Sequence, residues 1–343
     1  MSKSQTRFVE TLAREKGLTI VGPDALTVRR QRCGTGFSFR LASGAVVRNR
    51  EDLSRLKALA VPPAYTEVRF APDASAHLQA VGTDAAGRLQ YRYHPKWTEV
   101  REALKARRLA SLARSLPGIE RAIAKALHAE TVDASFVLAA VVRLVSLTAI
   151  RAGGEAYARE HGTRGATTLL KSNVKTIDGA VMLQFKAKGG KPVSKEVRDP
   201  RLCAAVEALM MRPGRRLFQY QDAEGAVHAV RASDVNAYLC GIAGRRISLK
   251  DFRTLVASSS VLEALAAREP ATSERGRRSQ LRTAVTAVAD ELTNTPTVCR
   301  KSYVHEAVVT AFEQGALARL GKPSRSAARK AEVLARIVAR HSS

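Results

Sequence analysis

The hydrophobic pattern of this chain changes period at His94-Pro95, and that change constrains the fold more than any other feature. Before it stand short β-like runs, LTIVG, LTVRRQR, FSFRLA, YTEVRFA, HLQAVGT and LQYRYH, separated by Gly, Pro, Asp and Ser clusters. Such runs between turn-forming clusters are expected of strands. After it, apolar residues recur at helical spacing in Ala- and Leu-rich segments such as WTEVREALKARRLASLARSL and ASFVLAAVVRLVSLTAIRAG. The pattern predicts an α+β protein, with a small β-rich N-terminal domain over 1–95 and a larger, mainly helical domain over 96–343.

One stretch interrupts the helical part. In TTLLKSNVKTIDGAVMLQFKAKGGKPVSKEVRD, Asp178-Gly179 and Gly189-Gly190 divide three β-like runs, which predicts a three-stranded sheet embedded among helices. Further helices are expected over RLCAAVEALM, ASDVNAYLCGIA, FRTLVASSSVLEALAA and SQLRTAVTAVADEL. From about residue 314 the tail, with Ala, Arg and Lys at helical spacing, reads as a solvated basic helix. No internal repeat is visible.

Charge narrows the function. Of 343 residues, 57 are Lys or Arg and 31 are Asp or Glu, a net charge of +26 that no single basic tail accounts for. A globular protein this positive repels itself unless a polyanion neutralises it, so nucleic acid is the expected partner. An anionic membrane surface would require an apolar anchor. The most apolar stretch, SFVLAAVVRLVSLTAI, is broken by Arg143 and is shorter than the roughly 20 residues that span a bilayer. The N-terminus, MSKSQTRFVETLAREKG, lacks the apolar core of a secretory signal, which predicts a protein that stays inside the cell. Cys33, Cys203, Cys240 and Cys299 are far apart and form no metal-binding spacing.

The usual equipment of a DNA enzyme is missing. There is no G-x4-G-K-[ST] phosphate loop. The carboxylates are scattered rather than clustered for a divalent ion, and GGK in GAVMLQFKAKGGKP is a hairpin turn. Neither a metal nor a small-molecule cofactor is therefore expected. What remains is a phosphoryl chemistry run by cations and one nucleophile. Arg151 lies where an apolar helix gives way to Gly153-Gly154, Lys188 at the turn of FKAKGG, Arg253 in SLKDFRT, and Tyr303 at the end of NTPTVCRKSY. Each has a bland reading. A helix-end arginine satisfies carbonyls, a hairpin lysine is solvated, and a tyrosine packs. Likewise Thr295-Pro296 is a good helix start, and Tyr91 and Tyr93, which share one strand face opposite Gln90 and Arg92, suit either a core or a DNA-facing edge.

Taken together and in order, however, the stretches GTGFSF, VPPAYTEV, GTDAAGRLQYRYHPKW, RLVSLTAIRAGGEAYARE, HGTRGATTL, FKAKGGK, LKDFRT and TNTPTVCRKSY resemble the type IB DNA topoisomerases, in particular the small poxvirus and bacterial enzymes. The resemblance covers most of the chain. It implies a cytoplasmic, nucleoid-associated protein that forms a two-lobed clamp around double-stranded DNA, with transient cleavage of one strand through a 3′-phosphotyrosine at Tyr303 and religation without ATP or metal. Arg151 and Arg253 would stabilise the transferring phosphate. Lys188 would protonate the leaving 5′-oxygen; Lys186 lies on the same strand face, and the family pattern Phe-x-x-Lys is what selects Lys188. Asn294 stands where the poxvirus enzymes have histidine. It cannot carry charge or move a proton, but it can donate a hydrogen bond to a phosphate oxygen.

By resemblance, Gln90, Tyr91 and Tyr93 contact DNA from one side, and Tyr157, Lys250 and Arg300 from the other. Gly154 and Ala156 stand where the poxvirus enzyme has basic base-contacting residues, so its sequence preference is not expected to carry over. Two alternatives remain. A tyrosine recombinase uses the same two arginines, lysine and tyrosine, but normally has H-x-x-R where this chain has Lys250 in K-D-F-R. A non-catalytic basic DNA-binding protein would need only the charge. A monomer is expected.

Overall fold

The computed structural model describes residues 3–317 and 327–341. The chain divides into two compact units, Met1–Leu104 and Lys105–Ser343. In the first, α1 (Lys3–Glu15) precedes β1 (Val28–Cys33) and β2 (Gly36–Arg40), then α2 (Arg50–Ala58), β3 (Thr66–Phe70), β4 (Leu78–Thr83) and β5 (Leu89–Tyr93). The strands form one antiparallel sheet in the order β2-β1-β3-β4-β5. Val28, Phe39, Val68, Phe70 and Ala80 bury one face against Leu56 of α2. Asn49 caps α2 by accepting the Glu51 and Asp52 N–H groups.

Two expectations fail here. LTIVG is not a strand, because Leu18 is drawn into a small core with Val9, Ala13 and Val100, and only Thr19 makes a bridge, to Ala76. Helices α1 and α2 were not expected in a β-rich segment. The β4–β5 hairpin does form across Asp84–Gly87, with Val81 opposite Tyr91 and Gly82 opposite Gln90. Asp84 organises its turn by accepting the Ala86 and Arg88 N–H groups.

The second unit takes α3 (Trp97–Leu127) from Lys105 onward, and continues with α4 (Ala134–Thr148) and α5 (Glu155–His161). The sheet of β6 (Val174–Ile177), β7 (Ala180–Lys186) and β8 (Pro192–Val197) has the order β6-β7-β8 and is antiparallel. After it come α6 (Pro200–Met210), a hairpin of β9 (Gln219–Gln221) and β10 (Val227–Ala229), α7 (Ala232–Ala243), α8 (Leu249–Ala266), α9 (Glu274–Glu291), α10 (Pro296–Ser302), α11 (Glu306–Glu313) and α12 (Ala327–His341). The expected helices and the embedded sheet are present; the β9–β10 hairpin was not foreseen.

Helix α4 is buried almost all round and packs against α6, α7 and α8. Its one charge, Arg143, pairs with Asp199, which also caps α6 by accepting the Leu202 N–H at 2.9 Å. Burial pushes the Asp199 carboxyl up, but the Arg143 and Leu202 hydrogen bonds outweigh it and hold the carboxyl below its ordinary value. No helix among the described residues is long and apolar enough to cross a membrane.

The basic tail is not simply solvated. Segment 318–326 lies outside the described residues, but α12 buries Ala331, Leu334, Ile337 and Val338 against α8 and α11. These positions recur at helical spacing, one stripe of an amphipathic helix. Lys330 adds an ion pair with Glu263 of α8 at 2.9 Å.

Candidate active site

The site is assembled where two helices of the second unit stop. Helix α4 ends at Thr148, not at Arg151, because Ala149 turns left-handed (φ 51°) with its N–H on the Val145 carbonyl. Helix α9 also ends on a left-handed residue. Thr293 is left-handed (φ 52°), its N–H reaches the Asp290 carbonyl, and the Asn294 N–H reaches back to Ala289 at 2.8 Å. This is the Schellman ending, with threonine at a position glycine usually fills. Left-handed backbone at a non-glycine residue costs on the order of 1–3 kcal/mol, and here it directs the orphaned carbonyls of both helices towards one arginine.

That arginine is Arg253. It lies in the first turns of α8 and is only 3% exposed. One terminal nitrogen donates to the Ala149 carbonyl and the other to the Leu292 carbonyl. A guanidinium at two helix C-termini neutralises both dipoles. Its Nε is buried without a hydrogen-bond partner. Burial pulls its pKa below the ordinary arginine value, with Arg151 adding to the effect and Tyr303 opposing it; a guanidinium nonetheless stays charged. Its central carbon lies 5.0 Å from the Tyr303 ring centroid.

Arg151 lies in an extended segment held by backbone contact. The Ala166 N–H donates to the Arg151 carbonyl and the Thr167 N–H to the Ala152 carbonyl, both at 2.8 Å. This approach requires glycine at 165, since a Cβ there would stand 2.5 Å from the Arg151 carbonyl oxygen. The guanidinium donates to the Asn294 Oδ1 and, at 3.5 Å, to the Thr293 Oγ1. Because an arginine can only donate, this contact fixes the orientation of the Asn294 amide. The Nδ2 of Asn294 is then a buried donor without a partner, on a residue 5% exposed. Buried donors in native proteins almost always have acceptors. Two without acceptors, on Asn294 and Arg253, suit a site built for an anion.

Tyr303 stands where α10 ends, its N–H on the Cys299 carbonyl at 3.0 Å. The helix begins as its sequence predicts, with Thr295 accepting the Val298 N–H and Pro296 in the first turn. Cys299 is buried, and burial raises its thiol pKa against the opposing charge of Arg253, which favours the thiol over the reactive thiolate.

Arg151, Arg253, Asn294 and Tyr303 are therefore brought together. Lys188 is held differently. It opens the exposed turn Lys188–Gly190, where Gly189 and Gly190 both take positive φ, and its ammonium lies 5.7 Å over the Tyr157 ring. The Arg164 N–H donates to the Lys186 carbonyl at 2.7 Å, tying the base of this hairpin to the segment that holds Arg151.

The remaining candidates are scattered. Lys250 is exposed on the first turn of α8. Arg300 is half-buried and pairs with Glu306 at 2.6 Å. In the first unit, Gln90 donates to Asp84 at 2.9 Å, while Tyr91 and Tyr93 are exposed and stack at 6.3 Å, continuing through Tyr93 onto Trp97. An exposed aromatic stack resolves the earlier ambiguity against a core role for these tyrosines.

Some residues were missed. Arg164, Lys195 and Glu291 line a small cleft together with Arg151 and Arg253. Burial lowers the Lys195 pKa, with Glu291 opposing and Arg253 adding to it. Its signal was legible. Lys195 alternates with the buried Val193 and Val197 on the inward face of β8, where a lysine is out of place. Among the described residues no group of three or more His, Cys, Asp and Glu side chains comes together as a metal site would need.

Residues 94–326 match the family "Eukaryotic DNA topoisomerase I, catalytic core", and residues 36–84 match "Bacterial DNA topoisomerase IB, N-terminal domain". DNA topoisomerase 1B of Acanthamoeba polyphaga mimivirus is 30% identical over 284 residues, covering 81% of this chain and 84% of that protein.

Proposed function

This chain belongs to the type IB DNA topoisomerases, and from that premise we propose that it relaxes positive and negative supercoils through a covalent link between Tyr303 and a DNA 3′-phosphate. The Tyr303 phenol gives up its proton to water as its oxygen attacks a backbone phosphorus, the bond from phosphorus to the 5′-oxygen breaks, and the leaving oxygen takes a proton from the Lys188 ammonium. Arg151, Arg253 and the free Nδ2 of Asn294 hold the non-bridging oxygens while charge collects on them. Rotation of the freed 5′ end about the intact strand releases torsion. Attack by the 5′-hydroxyl on the phosphotyrosine then restores the backbone and the phenol. Because the covalent intermediate keeps the bond energy of the phosphodiester, no ATP is needed, and the cationic side chains supply the stabilisation a metal would give.

The observation that carries this reading is the tyrosine set 5.0 Å from a buried arginine, beside an asparagine whose donor has no acceptor. In the same reading the protein is a monomer. Residues 1–95 bind one side of the duplex through Gln90, Tyr91 and Tyr93, and residues 96–343 hold the chemistry, with Tyr157, Lys250 and Arg300 at phosphates. The enzyme works on cytoplasmic, nucleoid DNA. Closing on DNA by charge implies steep weakening with salt, since each neutralised phosphate releases a counterion.

The test is to stop the reaction with denaturant on duplex labelled at either end. The expected product is protein joined to the strand that ends in a 3′-phosphate, with the adduct mapping to the Tyr303 peptide. A 5′-linked adduct, or an adduct on another residue, would overturn the reading.

A further inference from the structure

A helix leaves its last carbonyls without intrahelical partners, and α10 gives up its ladder just where the nucleophile stands. Glycine is the residue that commonly closes such an end. Here side chains from two other helices do so. Ser258, fully buried on α8 five residues after Arg253, donates its hydroxyl to the Tyr303 carbonyl at 2.7 Å and accepts the His305 N–H at 3.1 Å. Lys105 of α3 reaches the Val304 carbonyl at 3.3 Å and the Lys301 carbonyl at 3.5 Å. The backbone is therefore fastened at Lys301, Tyr303, Val304 and His305.

We propose that Ser258 and Lys105 are positioning residues for the nucleophile, an inference that rests on Tyr303 acting as proposed above. A tyrosine side chain has only two torsions, so the place of its oxygen follows closely from the place of its backbone. Ser258 shares α8 with Arg253, and its two hydrogen bonds set the Tyr303 backbone in a fixed register with that cation. One hydroxyl serves as both donor and acceptor, which alanine cannot do and threonine can. Lys105 holds the carbonyls on either side of the tyrosine, so the residue cannot pivot about its one hydrogen bond to Ser258. Neither side chain is required to touch DNA for this role.

The test is single-turnover cleavage of a duplex that loses its 5′ fragment on cutting, with duplex affinity and melting temperature measured in parallel. Ser258→Ala is expected to slow cleavage about 10²-fold, the scale of an ångström-sized misplacement, and Lys105→Met about 10-fold, with duplex affinity unchanged in both. Ser258→Thr and Lys105→Arg should recover most of the rate. The loss should be equally large on a substrate whose leaving 5′-oxygen is replaced by sulfur, because the nucleophile rather than the leaving group is displaced.

Wild-type cleavage rates in Ser258→Ala would overturn the proposal. So would a rate loss that follows loss of melting temperature and of duplex affinity and is not recovered by either conservative variant. Absence of a Tyr303 adduct in the wild type would instead remove the function on which the inference rests, so the two failures are distinct.

Discussion

Arg253 and Lys188 are both cations of the proposed site, and the fold treats them in opposite ways. Arg253 is buried, spans two helix ends and stands against the Tyr303 ring. Lys188 sits on an exposed glycine turn with a tyrosine ring as its neighbour. In the proposed mechanism the difference separates two tasks. Charge stabilisation works best when donors are fixed before the reaction, so that nothing reorganises as charge develops. Proton delivery needs an amine that can reach the leaving oxygen, and a hairpin tip gives that freedom.

The sharpest way to break the comparison is Arg253→Ala. It should reduce cleavage by at least about 10³-fold, the upper range for one such donor. It should also lower stability by about 1–3 kcal/mol, because the buried Ala149 carbonyl loses its donor, while the Leu292 carbonyl keeps the Thr293 hydroxyl. Thermal melting and single-turnover cleavage read the two effects. A rate loss without a stability loss would show that the helix-end contacts are not what holds this arginine.

Lys188→Ala should do the reverse. Cleavage falls about 10²–10⁴-fold, the range for general acid catalysis, with melting unchanged. A 5′-sulfur leaving group needs no proton and should restore the rate. If Lys186→Ala behaves this way and Lys188→Ala does not, the acid is Lys186.

Asn294→Ala removes a neutral donor and should cost about 10²-fold, measured in the same assay with sulfur- and oxygen-linked substrates alike. The mildest effect on catalysis belongs to Asp199→Asn, remote from the chemistry. It should lower stability by about 1–3 kcal/mol through the weakened Arg143 pair and leave the cleavage rate of folded protein unchanged. Because the Asp199 carboxyl is held below its ordinary value, its stabilising contribution is present above the ordinary carboxylate range. It is lost as pH falls through the depressed native value, and melting curves of wild type and variant should converge in acid.

Much of this was legible in the sequence, and for physical reasons. The period change at His94-Pro95, the two hairpin turns around β7 and the Thr295-Pro296 start of α10 are local signals with local causes. Helix α2 escaped because nine residues with one buried leucine give little periodicity. The burial of α12 escaped because its four buried apolar positions are interspersed with four Lys and Arg residues, although their spacing was there to read. The site residues Arg151, Lys188, Arg253, Asn294 and Tyr303 came from resemblance. Nothing local in the sequence says that Arg253 joins residues more than a hundred positions upstream to others about forty downstream. The role of Gly165 is likewise a contact between distant segments. Lys195 was the exception, marked by its own strand.

The central claim is that a single phenol, set among preplaced cations, breaks and reseals DNA. The most direct measurement is relaxation of supercoiled plasmid, in EDTA and without ATP, by the wild type and by Tyr303→Phe, which keeps the ring and loses only the nucleophile. The account predicts relaxation of both supercoil signs by the wild type and none by the variant, with duplex binding retained. Equal relaxation by both proteins, or relaxation by the wild type only when a divalent metal or ATP is added, would contradict it.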